Sequence, residues 1–197
     1  MLAAVILSGG ASQRMGSPKA LLPYQGRPFL EHLLEVTVHP KIGARRVVLG
    51  PHAEPITSAV PLDPDEIVMN PDWGQGQLSS IQAAIRSLPS GTEGLILFLI
   101  DHPLISAPLV NDLIEEFYSP PSGAASAKIV LPLFRGQRGH PVIFSSALYQ
   151  ELLEAPLDKG ARSVVWAHVA DVVQVETTEQ GCVLNLNDPE TLQRVIG

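Results

Sequence analysis

Apolar positions in this chain come in short runs set between stretches of helical period, the pattern of buried strands alternating with helices packed over them. Leu2 to Leu7 forms the first run and predicts a strand covered on both faces. Phe29, Leu30, Leu33, Leu34 and Thr37 then share one face of a helix, Arg46 to Leu49 predicts a second strand, and Glu66 to Met69 a third. Behind the Gly-rich stretch Asn70 to Gly76, residues Leu78, Ile81, Ala84, Ile85 and Leu88 recur at helical spacing. Leu95 to Ile100 is the most apolar run and predicts a central strand that ends at Asp101. Ser106 reads as an N-cap with Pro108 in the first turn, ahead of a helix whose apolar face carries Leu109, Val110, Leu113, Ile114 and Phe117.

The second half is less regular. Pro120 to Ser126 is a loop by composition, and Lys128 to Leu133 and Val142 to Phe144 predict strands flanking the turn from Arg135 to His140. Helices near Ala147 to Leu153 and Ala161 to His168, a strand near Val172 to Val175, and a helix from Asp188 complete the order. Strands alternating with helices imply an α/β protein with a mostly parallel sheet. No repeat or linker divides the chain, so residues 1–197 are expected to form a single domain.

Composition narrows the partners. With 13 Lys and Arg against 20 Asp and Glu the net charge is −7, and no basic run offers phosphate contacts for a nucleic acid. The one cysteine, Cys182, lies in an apolar stretch and reads as a small buried hydrophobe; it excludes an intrachain disulfide and a Cys-rich zinc site. No apolar run reaches the length of a membrane span, and the apolar start lacks a basic region ahead of it, so a cytoplasmic protein is expected.

Against that acidic background the segment after the first strand stands out: Ser8-Gly9-Gly10-Ala11-Ser12-Gln13-Arg14-Met15-Gly16-Ser17-Pro18-Lys19. Glycines there let backbone N–H groups approach an anion, Arg14 can fork two phosphate oxygens, and Lys19 can add a point charge. The Walker pattern is absent, because Ser17 and Pro18 follow Gly16; the dinucleotide pattern is absent because Gly9 and Gly10 are adjacent. The plain alternative is a Gly-rich turn with two solvated cations. Asp101, at the carboxyl end of the most buried strand, is placed where open α/β sheets bind ligands, and suits a Mg²⁺ shared with substrate phosphates. Helix capping is the competing role, but Ser106 already fills it. Asn185, Asn187 and Asp188 read locally as helix caps at least as well as cation ligands. Trp73 could stack on a ring or simply pack, and Arg135, Arg138, His140 and the segment Asp158 to Arg162 could meet a phosphorylated acceptor or belong to a surface hairpin and a helix start.

Taken in order, these motifs resemble the MobA-like nucleotidyltransferases. Leu7 to Lys19 resembles the signature L-[AS]-G-G-x-S-x-R-M-G-x-x-K. Asn70, Trp73 and Gly76 with Ser79-Ser80 resemble the family's second nucleotide-side loop. Leu99-Ile-Asp-His-Pro103 resembles its metal-binding Asp segment, Gly139 to Phe144 its acceptor-side strand, and Asn185 to Glu190 its closing metal segment. Ser8 stands where Ala is usual, Asn-Leu-Asn where Asp-Ile-Asp is frequent, and Leu157 where Gly is usual. The resemblance implies a three-layer α/β/α Rossmann-like nucleotidyltransferase fold, similar to glycosyltransferase-A folds, with a mostly parallel mixed sheet. Its N-terminal half is then expected to bind nucleotide and its C-terminal half the acceptor.

Arg14 to Pro23 is similar to the cytidylyl branch, which implies transfer of CMP from CTP to molybdopterin. The site residues so implied are Arg14, Lys19 and Asp101 for catalysis, with Leu7, Ser8, Gly9, Gly10, Met15, Gly16 and Ser79 also binding nucleotide. His102, His140 and Arg162 are implied for the acceptor, Asp101 and Asn187 for Mg²⁺ or Mn²⁺, and a molybdoenzyme as the receiver of the product. A sugar or polyol phosphate acceptor, GTP in place of CTP, an NAD(P)H-dependent oxidoreductase and a cofactor-delivery protein are the alternatives.

Overall fold

A computed structural model describes residues 1–10, 16–120, 128–187 and 189–196. The chain begins with β1 (Leu2–Ser8), forms a small hairpin of β2 (Pro23–Tyr24) and β3 (Arg27–Pro28), and enters α1 (Phe29–Val36). There follow β4 (Ile42–Leu49), α2 (Ala53–Ala59), β5 (Ile67–Met69), α3 (Gln77–Ser87), β6 (Gly94–Leu99) and α4 (Ala107–Tyr118). The second half holds β7 (Ile129–Phe134), β8 (Gln137–Arg138), β9 (Val142–Ser145), α5 (Tyr149–Glu154), α6 (Arg162–Ala167), β10 (Val172–Glu176) and α7 (Pro189–Ile196).

The sheet order is β10-β7-β9-β6-β1-β4-β5, with β8 paired to β7. β1 runs parallel to β4 and β6, β5 parallel to β4, and β10 parallel to β7. β9 lies antiparallel between β6 and β7. The sheet is therefore mixed and mostly parallel, with β6 at its middle.

The alternation of side chains sorts the core into two layers. Leu2, Ala4 and Ile6 of β1, with Ile96 and Phe98 of β6, face α1 and α4 through Phe29, Leu33, Leu109 and Leu113. Val5 and Leu7, with Leu95, Leu97 and Leu99, face α3 and α5 through Leu78, Ile81, Ile85 and Leu152. Being apolar on both faces is what makes β1 and β6 central. The predicted cap of α4 forms: the Leu109 amide donates to Ser106 Oγ at 3.2 Å, with Pro108 in the first turn.

Other predicted bounds shift. The second predicted strand starts earlier, at Ile42 rather than Arg46. Its early polar residues are anchored, because Arg45 pairs with Glu66 at 2.5 Å and Arg46 donates to the Ser87 carbonyl. The helix expected over 147–153 divides into a 3-10 turn, Ser146–Leu148, and α5. α2 and the β2–β3 hairpin have no counterpart in the sequence reading. The loop expected over 120–126 lies outside the described residues except for Pro120.

Candidate active site

The carboxyl ends of β1, β4 and β6 meet at one edge of the sheet, and backbone hydrogen bonds hold the loops leaving them together. The Ile100 amide donates to the Leu7 carbonyl at 3.2 Å, and the Asn70 amide to the Leu49 carbonyl at 2.9 Å. The Leu186 amide donates to the Asp101 carbonyl at 2.8 Å, bringing the distant closing segment against β6. Gly50, just after β4, passes so close to Gly9 that a Cβ there would lie 2.2 Å from the Gly9 carbonyl oxygen; only glycine fits.

These loops enclose a cleft of 650 Å³ walled by the backbone of residues 7–10 together with Trp73, Gln77, Ser80, Lys19, Asp101 and Asn187. Lys19, in a 3-10 turn after the first loop, places its ammonium 3.6 Å from Asp101 Oδ2 and donates to Asn187 Oδ1. The three residues come from widely separated parts of the chain. Among the described residues, Lys19 and Asp101 are the only charged side chains in the wall.

The far wall is stiffened by Asn70, which is buried. Its amide nitrogen donates to Ser79 Oγ at 3.0 Å and Ser80 Oγ at 2.9 Å, while its carbonyl oxygen accepts from the Asp72 amide at 3.0 Å. Ser79 in turn donates to a carbonyl of the same loop, that of Gly76 lying 2.7 Å away. Ser79 thus serves the loop from inside, and Ser80 is the one that lines the cleft. Gly16 is exposed and outside the lining, while Arg14 and Met15 lie outside the described residues.

A second hollow of 470 Å³ opens beside the first, and Gln77 lines both. Its floor is apolar (Leu97, Leu131, Val142 and Phe144), and its rim carries Arg138, Lys159, Arg162 and Trp166. The Arg162 guanidinium lies 5.5 Å from the centre of the Trp166 ring, and that indole remains 65% exposed, unusual for so large an apolar surface. His140 lines this hollow; its Nδ1 is buried without a hydrogen-bond partner among the described residues, as is the Tyr149 hydroxyl.

His102 is buried between the two spaces, 3.9 Å from Asp101 Oδ1, with its ring centre 5.2 Å from that of His140; it lines neither hollow. Burial lowers the affinity of both imidazoles for protons, against the pull of Asp101, and pushes His140 down to about 4. Both rings are therefore neutral near pH 7.

The donor set suits a hard divalent cation in one respect: Asp101 and Asn187 offer a carboxylate and a carboxamide oxygen at one cleft edge, which a substrate phosphate can complete. Asn185 does not line the cleft, but its buried Oδ1 has no partner among the described residues. No group of three or more His, Cys, Asp and Glu able to hold a metal occurs among the described residues, so a cage built from those side chains alone is not offered there.

Sequence reasoning passed over Gln77 and Trp166. Gln77 opens a helix directly after Gly76, where an open α/β sheet points its helix N-termini at ligands. Trp166 could have been flagged as an aromatic on the side of a short helix opposite Val164, which is the buried residue of α6.

The MobA-like NTP transferase domain family matches residues 4–172. A nicotine blue oxidoreductase of Paenarthrobacter nicotinovorans is 33% identical over 147 residues, covering 73% of this chain and 71% of the relative. A molybdenum cofactor guanylyltransferase of Xanthomonas euvesicatoria pv. vesicatoria is 28% identical, covering 98% and 93%. The molybdenum cofactor cytidylyltransferase of Escherichia coli is 24% identical, covering 94% and 91%. Among solved structures, the homologue of Mycobacterium tuberculosis Rv0371c from Mycobacterium sp. strain JC1 superposes with a TM-score of 0.83 at 28% identity, covering 99% and 94%.

Proposed function

Because the chain belongs to the MobA-like NTP transferase family, and is in that sense a nucleotidyltransferase, we propose that it transfers CMP from CTP to molybdopterin and releases pyrophosphate. The observation that carries this reading is the convergence of Lys19, Asp101 and Asn187 beside the backbone of residues 7–10. In the reaction an acceptor phosphate oxygen attacks the α-phosphorus, the bond from the α-phosphorus to the bridging oxygen breaks, and the pair of electrons leaves on pyrophosphate. The nucleophile is already anionic, so the protein has more to do in positioning and neutralising charge than in moving protons.

Lys19, with Arg14 from the same loop, neutralises the triphosphate and the leaving group. Leu7 to Gly10, with Met15 and Gly16, cradle the nucleotide, and the loop stapled by Asn70 and Ser79 forms the wall beside the base. Asp101 and Asn187 hold a divalent cation, Mg²⁺ or Mn²⁺, which when bound supplies positive charge at the reacting phosphates. The second hollow receives the acceptor: Arg138, Lys159 and Arg162 offer cations at its rim, and His140 a neutral acceptor nitrogen within; His102 backs both spaces. One domain carries both halves, nucleotide first and acceptor second. Its proposed place of work is the cytoplasm, and a molybdoenzyme is the proposed receiver of the product.

The choice of CTP rests on the resemblance of Arg14 to Pro23, and of Gly139-His140-Pro141, to the cytidylyl branch of the family. Pyrophosphate release with CTP, GTP, ATP and UTP, each with molybdopterin and with sugar phosphates, tests it; preference for GTP overturns the branch, and preference for a sugar phosphate overturns the acceptor.

The similarity to a protein named as an oxidoreductase favours a second reading, a nicotinamide-dependent reductase. The position after β4 weighs against it. A dinucleotide fold needs an acidic side chain there for the ribose, and Gly50 packs on Gly9 with no room for a side chain. Oxidation of NADH or NADPH by the purified protein with an added electron acceptor, the acceptor being reduced in equal amount, would establish that second reading.

A further inference from the structure

The cation expected to meet the triphosphate and the anion expected to meet a divalent cation are, in this structure, bound to each other. Lys19 lies 3.6 Å from Asp101 Oδ2 and donates to Asn187 Oδ1, so one ammonium engages both side chains that the cleft offers to a metal ion. The Lys19 and Asp101 side chains are only 17% and 18% exposed, so solvent screens this contact less than it would a surface pair.

We infer that Lys19 is a placeholder in the cation site, whose withdrawal onto a triphosphate opens Asp101 and Asn187 to the divalent ion. This rests on reading those two residues as cation ligands. A divalent ion arriving alone faces the Lys19 charge at the oxygens it needs. A triphosphate arriving alone draws Lys19 off and leaves the Asp101 carboxylate beside its own negative charge. Arriving together, each relieves the penalty met by the other, so the binding of nucleotide and cation is positively coupled. The pairing also keeps the Asp101 charge partnered within the cleft, where an isolated carboxylate is costly.

Binding of Mn²⁺ to the full chain without nucleotide, followed by the loss of the free-ion electron paramagnetic resonance signal, tests this directly. Lys19→Gln and Lys19→Met are expected to bind Mn²⁺ at least tenfold more tightly than the unaltered protein. Lys19→Arg, which keeps the charge, is expected to stay within about threefold of it. Thermal melts identify any variant that has lost the fold. Unchanged or weaker Mn²⁺ binding in both folded, charge-free variants overturns the placeholder role. Asp101→Asn separates this from the underlying reading: if it leaves Mn²⁺ binding unaltered, the cation site itself is misassigned. If it removes binding while the Lys19 variants show no gain, only the placeholder inference falls.

Discussion

The two hollows share a wall yet are built on different terms. The cleft proposed for the nucleotide sits at the ends of parallel strands, and several polar groups in and behind its wall already have partners: Lys19 with Asp101 and Asn187, and Asn70 with Ser79 and Ser80. The neighbouring hollow is floored by the antiparallel part of the sheet, and it presents a buried His140 nitrogen without a partner among the described residues and a largely exposed Trp166. The Asn70 network fixes one wall before a ligand arrives, which suits a triphosphate whose shape does not vary among nucleotides, while the Lys19 contact is the part that a ligand exchanges. A site with an apolar floor and unmet polar groups leaves recognition to be completed by the ligand. On the proposed reading, recognition of the acceptor falls to rim side chains such as Arg138, Lys159, Arg162 and Trp166.

This contrast can be broken at four points. The largest effect is expected from Asp101→Ala, which should cut pyrophosphate release by about 10³-fold while leaving the melting temperature near that of the unaltered protein. Retained turnover would remove Asp101 from the chemistry. Asn70→Ala strips the buried hub of the nucleotide wall and is expected to cost about 2 kcal/mol in denaturant unfolding, with a raised KM for nucleotide. A change in acceptor KM alone would show that this wall does not belong to the nucleotide.

The third point is the pH dependence of the buried imidazoles. The His140 proton affinity in the fold, near pH 4, lies below the ordinary imidazole value of 6.5, so the unfolded chain binds the proton more readily. The stability this group contributes is fully present above pH 6.5 and is lost as pH falls toward 4. Between pH 7 and 5 the loss should be about 2 kcal/mol by chemical unfolding, and His140→Gln should flatten the curve. The smallest effect is expected from Arg162→Ala, about a tenfold rise in acceptor KM with nucleotide KM unchanged, a factor worth about 1.4 kcal/mol. Equal effects on both constants would dissolve the distinction between the hollows.

The strands central to the fold could be read from the sequence because β1 up to Leu7 and β6 after Gly94 are unbroken apolar runs, and the faces of α1, α3 and α4 because their apolar spacing is regular. α2 could not: only Ile56 of its seven residues is buried, which leaves no periodicity to detect. The β2–β3 hairpin has two-residue strands, too short to alternate, and turns through Gln25 and Gly26 at positive φ, a variant of the more familiar Asn-Gly signal. In the site, Asp101 was visible as the end of the most apolar strand. The meeting of Lys19, Asp101 and Asn187 was not, because it depends on β1 lying beside β6 and on the Leu186 amide reaching the Asp101 carbonyl. Ser79 and Ser80 differ by one helical step, and the fold separates them by turning Ser79 onto the Gly76 carbonyl and leaving Ser80 in the cleft wall.

The claim that the cleft directs attack to the α-phosphorus is tested most directly by following label from CTP into product in the presence of molybdopterin and Mg²⁺. With α-³²P-CTP the label is expected in the dinucleotide product, and with γ-³²P-CTP in pyrophosphate alone. Label from the γ position in the acceptor, or release of γ-labelled inorganic phosphate without transfer from the α position, would contradict it.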